Sequence, residues 1–161
     1  MASTSSRRVA DTKRTRARSV QPIALSPAVS AQMQRMPRES STPEVLLRRA
    51  LHALGLRFRL HDRRLPGTPD IVFPRARLAV FVDGCFWHAC PEHGTLPRNN
   101  REWWAAKLAA TTERDRRKDA ALGEIGWQPV HVWEHTDVTA AAEEIRDLWR
   151  TRTLLAGGGA P

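Results

Sequence analysis

Only two cysteines, Cys85 and Cys90, occur in the 161-residue chain, and no apolar run is long enough to span a membrane. The first residues also lack the apolar stretch of a signal peptide. These absences point to a cytoplasmic protein, associated with the nucleoid if it is bacterial. In that reducing setting two cysteines fit metal ligation or simple burial better than a structural disulfide. Acidic residues are scarce at the start. Residues 1–40 carry eight Lys/Arg against Asp11 and Glu39, about two-thirds of the net charge of +9. That quarter is rich in Ser, Thr, Pro and Ala without a sustained apolar period, so residues 1–32 are expected to form a disordered basic arm. Such an arm points to a polyanion, most simply nucleic acid, with a solubilising tail as the plain alternative.

The remaining length suits one domain with a real core. We set it at residues 33–152, followed by a disordered tail over 153–161. "STPEVLLRRALHALG" predicts a helix, with Thr42 as the cap, proline at the first helical position, Glu44 in the first turn and Gly55 as the stop. "RFRLH" alternates as a half-buried strand does, with Phe58 and Leu60 on one face. "IVF" and "RLAVFV" read as strands, the second buried and central. A long helix capped near Asn99 or Asn100 runs to Gly126, then come the strand "QPVHVWEH" and the helix "TAAAEEIRDLWR". The order α-β-β-β-α-β-α predicts a small mixed β-sheet flanked by helices.

Chemistry gathers in "VFVDGCFWHACPEH", Val80 to His93. Cys85, Cys90 and His93 are spaced C-x4-C-x2-H, and His135 follows a strand far downstream. Structural zinc takes four tetrahedral N/S ligands, and one loop can present three while a neighbouring strand end delivers the fourth. His88 or Asp83 competes with His135 for that fourth place, and two buried free cysteines remain the plain reading. Asp70 lies where the "TPD" turn enters a strand. Two adjacent strand ends can converge on a hard divalent cation, with Asp70 giving a carboxylate and "AVFVD" a backbone carbonyl or the Asp83 side chain. A Pro-Asp pair alone more often only stabilises a turn.

Taken together, "TPE", "LPGTPDIVF", "VFVDGCFWHACPEH", "EWW", "ERDRR", "GW" and "VWEH" resemble the very-short-patch repair endonucleases, bacterial enzymes that nick DNA beside a T:G mismatch left by deamination of 5-methylcytosine. The likeness covers about residues 33–150 and implies a restriction-endonuclease-like core. It implies Asp70 and the main-chain carbonyl of Val82 as Mg²⁺ ligands, Glu44 ordering water around the metal, His88 as the catalytic histidine and Asp115 as its supporting acid, with room for a second Mg²⁺. It matches the family's zinc site to Cys85, Cys90, His93 and His135, with histidine and cysteine exchanged at some positions. Two departures stand out. The strand "FVDG" carries no lysine of the acid-x-lysine pair common in this fold, so His88 has to be considered as the base. Asp83 stands where the family often has histidine, and it either adds a metal ligand or alters local charge.

Adjacent aromatics in a basic protein can wedge between base steps, which mismatched pairs yield most cheaply. The resemblance gives that role to Phe86, Trp87 and Trp104, leaving Trp103, Trp127, Trp133 and Trp149 to the core. Arg114, Arg116, Arg117 and Lys118 surround the long helix. Arg114 and Arg117 are the candidates for phosphate contact, while Asp115 turns inward. The expected partner is double-stranded DNA with a T:G mismatch, bound by a monomer, with mismatch-repair proteins and a companion cytosine methyltransferase as further partners. The rival readings are a restriction-type endonuclease cutting an unmodified sequence, and a non-catalytic zinc DNA-binding module.

Overall fold

The computed structural model describes residues 40–157. The basic arm over 1–32, and "SAQMQRM" after it, lie outside the described residues. Helix α1 (Thr42–Ala53) begins one residue earlier than read: Ser41 is the N-cap and Thr42 the first helical residue. Ser41 and Glu44 form a capping box, in which the Glu44 carboxylate accepts the Ser41 backbone N–H at 3.3 Å. Gly55 follows the helix at φ +79°, where a side chain would be strained.

Strand β1 covers only Arg59–Leu60, and both residues are exposed. The expected face of Phe58 and Leu60 is not formed: Phe58 is half-buried against the core, while the chain leaves the sheet at His61 with φ +47°. Strands β2 (Ile71–Phe73) and β3 (Leu78–Asp83) are buried almost throughout, as their unbroken apolar runs require. Helix α2 (Arg101–Glu124) starts at Asn100 in the left-handed region and ends before Gly126, also left-handed at φ +76°. Strand β4 (Gln128–Trp133) and helix α3 (Val138–Gly157) complete the chain. Helix α3 runs past residue 152 into the stretch read as a disordered tail.

The sheet order is β1-β2-β3-β4, antiparallel except for the parallel β3–β4 pair. This is the small mixed sheet flanked by helices that the sequence predicts. Side-chain alternation divides β3 between two layers. Leu78 and Val80 join Leu47, Leu51 and Ile145 of α1 and α3 in the main core. Ala79 and Phe81 face the other way, against Leu122 of α2. Asp83 keeps the parity of Phe81 and so points to the α2 side. No helix among the described residues is long and apolar enough to cross a membrane.

Leu46 and Leu47 test this layering. Leu47 is 1% exposed and Leu46 43%. Leu47→Ala should cost about 2–5 kcal/mol, because it empties a packed site. Leu46→Ala should stay within about 0.5 kcal/mol. Equal losses in chemical denaturation would mean that α1 presents another face to the core.

Candidate active site and metal centre

Two clusters sit at the rim where β3 and β4 end. In the first, Cys85, Cys90, His93 and His135 each offer a ligand atom within 4.8 Å of the others. Cys85 Sγ is 3.0 Å from His135 Nδ1, and Cys90 Sγ lies 3.9 Å from His135 Nδ1 and 4.0 Å from His93 Nδ1. A zinc tetrahedron with ordinary Zn–S and Zn–N bonds separates its ligand atoms by about 3.3–3.8 Å. The set fits zinc in donor type, and the three quoted separations lie within a few tenths of an ångström of that range. The parallel pairing makes this possible: Asp83 C=O accepts the Glu134 N–H at 2.9 Å, and Glu134 Oε1 accepts the Cys85 N–H at 2.7 Å. The residues following the two strands are thus locked side by side. Burial and the adjoining Cys90 thiol push the Cys85 thiol up to about 11. A metal bound there would take the thiolate form and release the thiol proton. His88 and Asp83 do not enter this set.

The second cluster is Glu44, His61 and Asp70. Asp70 Oδ2 accepts the Val82 N–H at 2.8 Å. A strand residue presents its N–H and C=O to the same neighbour, so the Val82 carbonyl faces the Asp70 side as well. Burial raises the Asp70 carboxyl above the ordinary carboxylate range, although the Val82 N–H and His61 oppose this. A carboxylate with one unbonded oxygen beside a carbonyl suits a hard cation such as Mg²⁺. Glu44 is more heavily engaged. It is buried, accepts from Ser41, and is gripped by the Arg48 guanidinium, whose Nη2 also lies 2.8 Å from His61 Nε2.

Between the clusters, His88 Nδ1 lies 2.8 Å from Asp115 Oδ2 and 3.5 Å from Asp83 Oδ1. Asp115 reaches His88 because it lies on the inward stripe of α2, with Trp104, Leu108, Lys118 and Leu122 at helical spacing. Lys118 Nζ donates to Asp115 Oδ1 at 2.9 Å. Burial pushes the Asp115 carboxyl up, but the bonds from Lys118 and His88 outweigh it and hold it below the ordinary range.

Comparison with known proteins decides the family. Residues 26–92 match the family described as DNA mismatch endonuclease Vsr. The chain is 45% identical over 120 residues to the type II nicking enzyme V.XorIIP of Xanthomonas oryzae pv. oryzae, spanning 72% of this chain and 88% of that one. It is 40% identical over 147 residues to the type II nicking enzyme V.NaeI of Lentzea aerocolonigenes, 88% and 89% of the two chains. The chain belongs to the Vsr-related nicking endonucleases. The DNA mismatch endonuclease Vsr of Escherichia coli is a further relative, 38% identical over 108 residues, 65% of this chain and 68% of that one.

In this nicking-endonuclease fold the aromatics form one group. Phe86, Trp87 and Trp104 have ring centroids 5.0–6.2 Å apart, and the Lys107 ammonium lies 5.7 Å from the Trp87 ring centre and 5.2 Å from that of Trp104. Phe86 and Trp87 are half-buried. Within "EWW", Trp104 is 9% exposed and shares the ring group with Phe86 and Trp87, while Trp103 is the more open ring. Neighbours on a helix are about 100° apart, so the phase that buries Leu108 also buries Trp104. Trp104 thus supports Phe86 and Trp87 from beneath. Trp127, Trp133 and Trp149 are half-buried rather than fully enclosed. Arg114 and Arg117 are well exposed, Arg117 pairing with Glu113, while Lys118 is drawn inward to Asp115.

Sequence reasoning missed Arg48, His61, His131 and Asp119. His131 Nδ1 lies 2.6 Å from Asp83 Oδ2, and its Nε2 lies 3.1 Å from Asp119 Oδ1. The visible signal was parity: in "VHVW", His131 must face away from Val130 and Val132, both packed on the main core.

Two outcomes follow for this site. Cys90→Ser should lose bound zinc, measured by elemental analysis, and melt at lower temperature. A variant with full zinc content and unchanged melting would rule out the cluster. The Asp83 hydrogen bond, against the opposing effect of burial, raises His131 from an ordinary 6.5 to about 9. A raised histidine stabilises the fold fully below pH 6.5, and that contribution fades as pH rises through 9. The wild-type melting temperature should therefore fall across that window more steeply than that of Asp83→Asn. Parallel curves would contradict the pairing.

Proposed function

We propose that this protein is a metal-dependent endonuclease that nicks one strand of duplex DNA. The observation that carries the reading is the His88–Asp115 pair, set at 2.8 Å beside the rim where Asp70 and Val82 meet. With Nδ1–H donating to Asp115, His88 Nε2 is left to accept a proton from the attacking water. Asp115 fixes the ring, and Lys118 fixes Asp115. Asp70 and the Val82 carbonyl would hold a Mg²⁺ ion, which would supply Lewis-acid polarisation of the scissile phosphate. Glu44, held by Arg48 and the helix cap, orders water at the edge of that site. Exposed Arg114 and Arg117 suit phosphate contacts, which position a duplex without reading its sequence.

Two substrate readings remain within this activity. A nicking enzyme that acts at an intact recognition sequence is favoured by the Xanthomonas and Lentzea relatives, whose names give nicking and no mismatch. Nicking beside a T:G mismatch, in repair of deaminated 5-methylcytosine, is supported by the likeness to the mismatch endonuclease of Escherichia coli and by the Phe86–Trp87 pair on its Trp104 support. Otherwise identical T:G and C:G duplexes separate the two. At least tenfold faster nicking of T:G, about 1.4 kcal/mol of discrimination, favours mismatch repair. Equal rates favour the sequence-defined enzyme.

Asp70→Ala and His88→Ala should each abolish nicking while leaving the melting temperature and DNA affinity largely intact. Normal nicking by Asp70→Ala would sink the nuclease assignment. If Trp87 wedges into the duplex, Trp87→Ala should slow T:G nicking by about ten- to a hundredfold, in line with stacking energies of roughly 1–3 kcal/mol per base. Nonspecific affinity should change far less. A large loss of melting temperature in that variant would make Trp87 a packing residue instead.

A further inference from the structure

His88 Nδ1 can donate one hydrogen, yet two carboxylates face it, Asp115 at 2.8 Å and Asp83 at 3.5 Å. Asp83 is only 6% exposed, so it must find partners inside the protein. Its other oxygen lies 2.6 Å from His131 Nδ1. His131 is well braced for this. Parallel pairing places it opposite Phe81, and its ring stacks on that of Phe81 with centroids 5.2 Å apart and 16° between the planes. Its far nitrogen, Nε2, is anchored by Asp119 of α2 at 3.1 Å. Both ring nitrogens thus face carboxylates, an arrangement in which only a doubly protonated ring donates to each.

We propose that His131 is a positioning residue for His88: by engaging Asp83 through Nδ1, with Asp119 holding Nε2, it reserves Asp115 as the acceptor that sets the direction of the His88 ring. The proposal rests on the nuclease reading for the role of His88 and goes beyond it in assigning Asp83, His131 and Asp119. Asp83 then acts neither as a metal ligand nor as a base; it is the buried link between the two histidines. The raised His131 described above is consistent with this arrangement. Among the described residues the other ion-pair partner of the Asp83 carboxylate is His88, at 3.5 Å, so removing His131 leaves His88 as its donor. The His88 ring turns from Asp115 toward Asp83, and Nε2 no longer points at the attacking water. The error is in orientation, and a small one is costly for a proton transfer that depends on hydrogen-bond geometry.

The test uses the full chain loaded with zinc. His131→Phe keeps an aromatic ring on Phe81 but removes both donors, whereas His131→Asn keeps a donor near the place of Nδ1. Single-turnover nicking, DNA affinity, melting temperature and the ¹⁵N signals of the His88 ring are measured for each, the His88 signals being assigned by their loss in His88→Ala. His131→Phe should slow nicking about ten- to a hundredfold, part of what a positioned base contributes. It should leave affinity unchanged and shift the His88 ring signals. His131→Asn should recover most of the rate and the wild-type signals. A wild-type rate with unmoved His88 signals in His131→Phe overturns the proposal, as does an Asn variant no better than the Phe variant. If His131→Phe fails to fold, Asp119→Asn takes its place on the exposed side of the pair. It should give a smaller loss with the same direction of shift, and no shift overturns the proposal. Should the wild-type protein nick no DNA, the nuclease reading fails by itself, and the His88 ring signals still decide whether His131 sets that ring.

Discussion

Parallel pairing of β3 with β4 brings together residues some fifty positions apart in sequence and ends both strands at one rim. The backbone bond from Glu134 to Asp83, and the Glu134 carboxylate on the Cys85 N–H, fasten the two exits to each other. Cys85 and His135 consequently lie 3.0 Å apart, and two chain segments with no local reason to meet share one metal-ligand set. The same register sets His131 over Phe81 and within reach of Asp83. A slip of one residue would turn every side chain of β4 to the opposite face, dispersing both arrangements.

Alternation along β3 then divides the work. The main core takes Leu78 and Val80, and the α2 side receives Phe81 and Asp83. Helix α2 answers with a stripe that is apolar at its ends, Trp104, Leu108 and Leu122, and charged in the middle, Asp115 and Lys118. A charged pair inside a buried stripe costs desolvation unless each member is satisfied, and here each is. The partner of His88 thus comes from the stretch of α2 between its buried apolar residues Leu108 and Leu122. Cys85 and Cys90, candidate metal ligands on both sides of His88 in sequence, would tether the short loop that carries it once a metal is bound.

Much of this was legible in the residues because it is local. The start of the first helix to within one residue, the turn into Asp70, the apolar run of β3 and the C-x4-C-x2-H spacing lie within a dozen residues each. Asp115, half-buried, came from the family resemblance, and its inward turn agrees with the helical phase of Leu108 and Leu122. The contact of Arg48 with His61 was not legible, because it depends on α1 meeting the chain just beyond β1, where His61 takes a positive φ that sequence does not announce. The Asp83–His131 bond needed the β3–β4 register, a long-range property. The different burial of Trp103 and Trp104 follows from helical phase, which puts Trp104 in line with Leu108.

Asp70 and His88 at one rim call for metal-dependent cleavage of one DNA strand. A duplex carrying a T:G mismatch and a different end label on each strand tests it most directly, incubated with the protein in Mg²⁺ and in chelator. One labelled strand should be shortened, at one position, only with Mg²⁺, while its complement stays full length. Cleavage of both strands, or equal cleavage in chelator, would contradict it.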